Sequence, residues 1–460
     1  MKAKYVVIIG LLSLLTASIW AQKQTPPAGG TPKDFNLPAK KSMTLNNGLS
    51  VTMVEYGKVP KVSIRVVIRT GNIDESASQV WLADLTGEFL KEGTKTRSAQ
   101  DLAKAAASMG GSIEVATTSD QVFITGEVLA EFGPDFIKLV SDMLQNPAFP
   151  AGEAERLKNN MIRDLSVQRA EPQGMASEKF NQIMFGDHPY GRNFPTEEML
   201  KSYTVDHVKE FYEKNYGAKR TSIYVVGIFD AKAIQQAVNE SFSNWKEGSP
   251  ATQNPPKMSS SKTIYLIDRP GSPQSTIYMG LPVIDPSQPD YLTMTVMNSM
   301  LGGSFGSRIT SNIRENKGYT YSPGSFLNIN YRSAYWAEVA DVTTEFTGAS
   351  IKEILYEINR LKGEVPGNEE LDGIKNYMAG TFVLRTSSPG GIANQLGFLS
   401  LHGLPDTYLT NYVKNVYAIT PEDISKMVKT YIRDTDIAIV IVGDIKKIKK
   451  QVEAYGKVVQ

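Results

Sequence analysis

The chain has 460 residues, room for two to four domains at ~100–200 residues each. Its 49 Lys and Arg nearly balance 48 Asp and Glu, for a net charge of +1, so neither a basic nucleic-acid surface nor an acidic solvating tail is indicated. Zero Cys excludes disulfides, thiolate zinc sites, thiol nucleophiles and a cysteine-linked lipid anchor, and only 3 His are present, His188, His207 and His402.

Residues Met1-Lys2-Ala3-Lys4 precede an apolar run, Tyr5–Trp20, closed by Ala21. Positive residues, a short apolar core and a small closing residue predict a secretory leader over 1–21. The run falls short of the ~20 residues that a spanning helix needs, so no membrane span is expected after cleavage. An exported chain without cysteine points to a bacterial periplasm. Residues 22–34, polar and rich in Pro and Gly, read as a flexible spacer.

From Phe35 to Trp245 strands and helices alternate. Met43–Leu45 and Leu49–Glu55 flank Asn46-Asn47-Gly48, a hairpin turn because Asn and Gly tolerate positive φ. Val62, Ile64, Val66 and Ile68 recur at every second position and predict a strand with one buried face. Ser98–Met109 reads as a helix, capped by Ser98 and ended by Gly110-Gly111. A second hairpin, Ser112–Thr117 with Val122–Val128, comes next. Helices follow at 133–145, 153–168, 173–184 and 204–214, then a strand at Ser222–Val226.

The second half repeats this order. Glu131-Phe132 with Ile137-Lys138 resembles Glu345-Phe346 with Ile351-Lys352, 214 positions on. Ile223–Gly227 resembles Ile439–Gly443, 216 positions on, and the preceding helices Thr204–Tyr216 and Thr420–Ile432 also correspond. So long a period implies duplicated domains, not a solenoid of ~20–50-residue repeats. Lys246–Lys262, rich in Pro and Ser, is the linker. The expected class is α+β. Two homologous α/β-sandwich domains, 35–245 and 263–460, each carry a mixed sheet covered by helices.

The duplicated chain resembles the inverted-zincin metallopeptidases of the pitrilysin, insulinase and mitochondrial processing peptidase family. The resemblance is carried by Trp81–Thr94, His188–Gly191, Ile223–Gly227 and Leu301–Tyr321, in that order. It implies two sandwich domains forming one half of a clam-shell chamber. Active members carry H-x-x-E-H on a helix: two His on one face hold zinc, and the Glu is the general base for its water. Anchored on Leu82-Ala83 and Gly93-Thr94, that motif falls on Asp84-Leu85-Thr86-Gly87-Glu88. Both His are replaced, and Gly87 stands where the base belongs. The family's distal Glu ligand falls near Asp164.

Asp84, Glu88 and Asp164 would form an all-carboxylate set suited to a hard cation, not to catalytic zinc. The alternative is that they are solvated or ion-paired helix residues. None of the three His offers ligand spacing. No metal or cofactor is therefore expected on this chain, which should not hydrolyse peptides alone.

The resemblance also assigns Arg314 and Tyr321, seven residues apart, to substrate-backbone contact and oxyanion stabilisation across the chamber. A guanidinium offers forked donors to peptide carbonyls, and a phenol donates one hydrogen bond to an oxygen gaining charge. The alternatives are a surface ion pair for Arg314 and a half-buried strand position for Tyr321, with Tyr319 competing for the role. Gly302, Gly303 and Gly306 either admit an extended peptide or punctuate a helix end. Pro389-Gly390-Gly391 reads as a turn. Two functions remain open. The first is a non-catalytic subunit of an exported heterodimeric zinc peptidase, whose partner is a homologous active subunit holding the zinc, with an extended peptide as substrate. The second is a stand-alone inactive homologue that binds peptides or serves assembly.

Overall fold

The computed structural model describes residue 33 and residues 35–460; the expected leader and all but one residue of the spacer lie outside them. Asn46-Asn47-Gly48 turns β1 (Lys40–Thr44) back onto β2 (Ser50–Glu55), with Gly48 at φ 94°, where a side chain would be strained. Asn47 Nδ2 pins the turn by donating to the carbonyls of Phe242 and Trp245 at 2.7 and 3.0 Å. The alternating valines and isoleucines form β3 (Lys61–Ile68). With β4 (Glu114–Thr117), β5 (Val122–Leu129) and β6 (Thr221–Gly227) they complete a sheet of order β1-β2-β6-β3-β5-β4. Only β2 and β6 run parallel, so the sheet is mixed.

The second sheet uses β7 (Thr263–Asp268), β8 (Gln274–Val283), β9 (Gly324–Asn330), β10 (Ser333–Thr343), β11 (Ala438–Gly443) and β12 (Lys457–Val459). Its order, β12-β7-β11-β8-β10-β9, retraces the first from the second position onward. Only the outermost strand changes source. The first sheet borrows β1 from the start of its half, antiparallel; the second borrows β12 from the chain's end, parallel to β7. The two edges at the far side are β4 and β9.

Each sheet lays one face on its own helices. In the first half Val62, Ile64, Val66 and Ile68 pack on Leu85, Phe89, Phe136, Val140 and Ile234, from the helices Leu82–Leu90, Gly133–Gln145 and Ala231–Phe242. In the second, Ile277, Met279, Trp336 and Ile441 face Met297, Ile351, Ile354 and Ile424. The other face of each sheet is covered by a helix from the opposite half. Pro172–Phe185 places Ala176, Phe180 and Met184 against Tyr335, Ala337, Ala438 and Val440. Pro389–His402 places Ile392, Ala393 and Leu396 against Val54, Val67, Tyr224 and Val226.

This exchange corrects two expectations. β3 is buried on both faces, not one, because the exchanged helix covers Val67 and its neighbours. Pro389-Gly390-Gly391 is not a turn but the first turn of that helix. Ser388 Oγ caps it by accepting from Gly391 N at 3.1 Å, and Pro389 sits where a helix has no use for an N–H. The hairpin tips of the two sheets also meet. Asp120, between β4 and β5, accepts the Tyr190 hydroxyl and, at 2.9 Å, the N–H of Tyr331 between β9 and β10. No described helix is long and apolar enough to cross a membrane.

Candidate functional site

The helix Leu82–Leu90 carries the three degenerate positions, and each is engaged in something other than metal binding. Its N-terminus has no capping side chain at Trp81, which sits in the left-handed region at φ 67°. Glu75 supplies the cap from outside, accepting from Trp81 N at 3.1 Å and Ala83 N at 2.8 Å. Asn72 Nδ2 donates both to Glu75 (3.1 Å) and to Asp84 Oδ2 (2.7 Å), so one amide bridges two carboxyls. Burial, with the Asp84 charge adding to it, pushes the Glu75 carboxyl up to about 8. Burial raises Asp84 too, while the Asn72 hydrogen bond opposes the rise.

Glu88 pairs with Lys91 at 2.6 Å, one turn along the same helix. Gly87 is buried where the helix crosses β4. A Cβ there would stand 2.6 Å from Thr117 Oγ1, so the threonine hydroxyl fills the space that a general-base side chain would leave from. Asp164 lies exposed on the helix Ala154–Ala170. Among the described residues no group of three or more His, Asp or Glu is placed to hold a metal. The donor set does not fit zinc: the helix face offers no imidazole, and both of its carboxylates are committed to Asn72 and Lys91.

The three histidines have structural work. His188 Nδ1 accepts from Tyr190 N at 3.3 Å, and its Nε2 meets the Asn254 carbonyl at 2.9 Å. His207 closes a capping box with Thr204 at the start of Val205–Asn215. His402 is buried at the end of its helix, and burial pushes its imidazole down to about 4, so it stays neutral.

Arg314 and Tyr321 are brought together. Arg314 sits on a π-helical segment, Thr310–Asn316, with its guanidinium carbon 4.8 Å from the Tyr321 ring centroid. The Phe305 ring lies at 4.6 Å from the same carbon. Two aromatic rings contact the guanidinium, and Nε forms an ion pair with the exposed Glu315 at 3.1 Å. Phe305 and Tyr321 are 68% and 80% exposed, two aromatic rings open to solvent and in contact with the same guanidinium. Tyr321 is thus neither half-buried nor packed. Tyr319, its competitor, stacks on Phe346 at 4.6 Å and joins the second core.

Sequence reasoning missed Asn72, Glu75, Thr117 and Phe305. Of these only Phe305 left a signal, a large aromatic ring in a run of glycines. The others act on the helix from outside it, through contacts that its own residue pattern does not show.

Two family models match the chain. "Insulinase (Peptidase family M16)" covers residues 51–196, and "Peptidase M16 inactive domain" covers residues 202–378. An "uncharacterized zinc protease" of Rickettsia bellii is 24% identical over 327 residues, 71% of this chain and 79% of its own. A "non-peptidase homolog YmxG" of Helicobacter pylori is 24% identical over 396 residues, 85% of this chain and 91% of its own. Among solved structures, an M16 inactive domain from Pseudomonas fluorescens superposes with TM-score 0.81 at 24% identity, covering 88% of this chain and 98% of that one. A protease from Helicobacter pylori gives 0.82 at 18% identity, covering 89% and 100%. At such identities the solved structures establish the fold alone.

Proposed function

As this chain belongs to peptidase family M16 and its zinc helix has lost every ligand and the base, we propose that it is the non-catalytic subunit of an exported heterodimeric peptidase. The partner is a homologous M16 subunit with an intact H-x-x-E-H, and the zinc is held there. The two chains close as two arcs of a chamber around an extended peptide, in the periplasm to which the leader directs this one.

The observation that carries this reading is the Phe305–Arg314–Tyr321 stack. It is exposed and preorganised in a chain whose own metal helix is locked by Asn72, Thr117 and Lys91. With both rings close by and Nε engaged by Glu315, the guanidinium has its terminal N–H groups to offer to peptide carbonyls. The Tyr321 phenol is free to donate to an oxygen that gains charge as the peptide bond is attacked. Such a donor costs no reorganisation at the moment of reaction, which is why its loss is felt in turnover and not in binding.

The test is peptide hydrolysis by this chain, by an exported H-x-x-E-H homologue, and by their mixture, with zinc assayed on each. Activity confined to the mixture, with zinc on the homologue, supports the reading. Tyr321→Phe should then lower turnover by ~10²-fold while association is kept. Unchanged turnover in that variant removes the role of Tyr321. Absence of association favours the stand-alone peptide-binding homologue.

A further inference from the structure

The duplication places a cavity in the second half where the first half has its degenerate metal helix. At the offsets of 214 to 216 found in the sequence, the helix Leu82–Leu90 falls on residues 296–306, and Asn298, Ser299 and Gly303 of that stretch lie in the wall of a cleft of about 460 Å³. The cleft is bounded by the helix Tyr291–Asn298, its π-helical continuation Ser299–Gly303, the helices Asn368–Thr386 and Pro389–His402, and β9. It shares no lining residue with the Phe305–Arg314–Tyr321 stack.

Its chemistry is one-sided. Tyr377, Phe382, Tyr408 and Tyr412 present aromatic surface, and Arg385 is the one charged residue of the wall; no Asp or Glu lines it. Among the described residues no carboxylate pairs with Arg385, which is exposed at the rim. Its charge nevertheless reaches the cleft. Burial raises the phenols of Tyr408 and Tyr412, and the Arg385 charge opposes the rise in both. Tyr291, 2% exposed, also lines the cleft, with its hydroxyl lacking any hydrogen-bond partner among the described residues. Beside this wall runs β9, an edge strand whose outer N–H and C=O groups have no neighbouring strand.

We propose that this cleft binds the C-terminal end of an extended peptide, Arg385 taking the terminal carboxylate and the aromatic wall taking a bulky apolar last side chain. The free edge of β9 pairs with the peptide backbone leading into the cleft. The charge selects the terminus. A C-terminal carboxylate meets the fork of a guanidinium, whereas an N-terminal ammonium finds the same positive charge and no acid to balance it. The volume sets the size, since clefts of ~300–1,000 Å³ accommodate small-molecule-sized groups. This site belongs to the chain alone and does not depend on the partner proposed above.

The test is fluorescence anisotropy with the full chain, free of partner, and a short labelled peptide ending in Phe. The same peptide is compared as free acid and as C-terminal amide. The acid should bind at least ~10-fold more tightly than the amide, as loss of a charge-assisted pair predicts. Arg385→Gln should abolish that preference, and Tyr377→Ala should weaken both peptides. Both side chains are exposed, so the variants should fold as the parent does, checked by circular dichroism. Equal affinity for acid and amide, absence of binding, or a preference that survives Arg385→Gln would each overturn the proposal.

Discussion

Each half crosses a helical segment over its edge strand at a glycine, and the surroundings of the two glycines differ. At Gly87 an added Cβ would meet one atom closely, Thr117 Oγ1 at 2.6 Å; the next, Val115 Cγ1, is 3.8 Å away. At Gly302, 215 positions on, it would meet Glu338 Oε2 at 2.5 Å, Ser325 Oγ at 2.6 Å and Ser325 Cβ at 2.8 Å. Side chains from the crossing strands stand so close to the helical backbone that neither position has ready room for a Cβ. What surrounds that approach has diverged. The first half closes it with a rotatable hydroxyl. The second sets there a fully buried Glu338 with no cation or side-chain donor on its carboxyl oxygens among the described residues. Burial raises that carboxyl well above its ordinary range, with the Gly324 backbone N–H opposing the rise. Duplication preserved the packing geometry and left the chemistry of each half free to change.

The widest way to break the comparison is to treat the halves as separable. They should not be, because each sheet is covered by the other half's helix. Phe180→Ala empties a fully buried site on the second sheet from a helix of the first half. It should cost about 3–5 kcal/mol, and urea unfolding should keep one transition by both near- and far-ultraviolet dichroism. Two separate transitions would show that the exchanged helices do not couple the halves.

A second contrast is in pH. Glu75 rises from 4.5 to about 8 on folding, so the folded state binds its proton more tightly than the unfolded chain does. Its contribution to stability is complete below 4.5, is lost progressively as pH climbs to about 8, and is constant above. Across that window Glu75→Gln should lose less stability than the parent, by a few kcal/mol at ~1.4 kcal/mol per pH unit. Parallel pH curves for the two would show that Glu75 titrates normally.

The glycine pair sharpens the comparison further. Gly302→Ala should destabilise by about 1–3 kcal/mol, since Ser325 Cβ is tied to its strand and cannot rotate away. Gly87→Ala should stay within ~1 kcal/mol of the parent, because the Thr117 hydroxyl can turn aside and alanine favours the helix. Equal costs in thermal melts would mean that the two crossings are equivalent after all. The smallest effect is expected at Phe305→Ala. With the ring exposed, stability should change by less than ~0.5 kcal/mol. In the reconstituted complex, turnover should nonetheless fall as Arg314 loses one of its two rings.

Much of the fold is legible in the chain. The β1–β2 turn, the alternation in β3, the capping box of Ala99–Ser108 and the helix Gly133–Gln145 all lie where neighbouring residues predict them. So does the loss of the zinc motif, because ligands four residues apart on a helix are a local property. The meeting of Arg314 and Tyr321 was legible only through the family resemblance. The lock on Asp84 was not, since Asn72 and Glu75 reach it from outside the helix. The burial of both faces of β3 was hidden for the same reason: its second cover, the helix Pro389–His402, lies more than 300 residues away.

By itself the sequence determined that this protein is a duplicated α+β chain whose zinc motif has lost both histidines and the glutamate, for periodicity, spacing and repeat are written in residues close together or at a nearly fixed offset. The tertiary structure alone decided which half covers which sheet, which side chains seal the crossing at Gly87, and which corresponding place in the second half stands open. Those outcomes depend on contacts between separate elements, 30 residues apart for Gly87 and Thr117 and more than a hundred for the exchanged helices, and local pattern places no constraint on them.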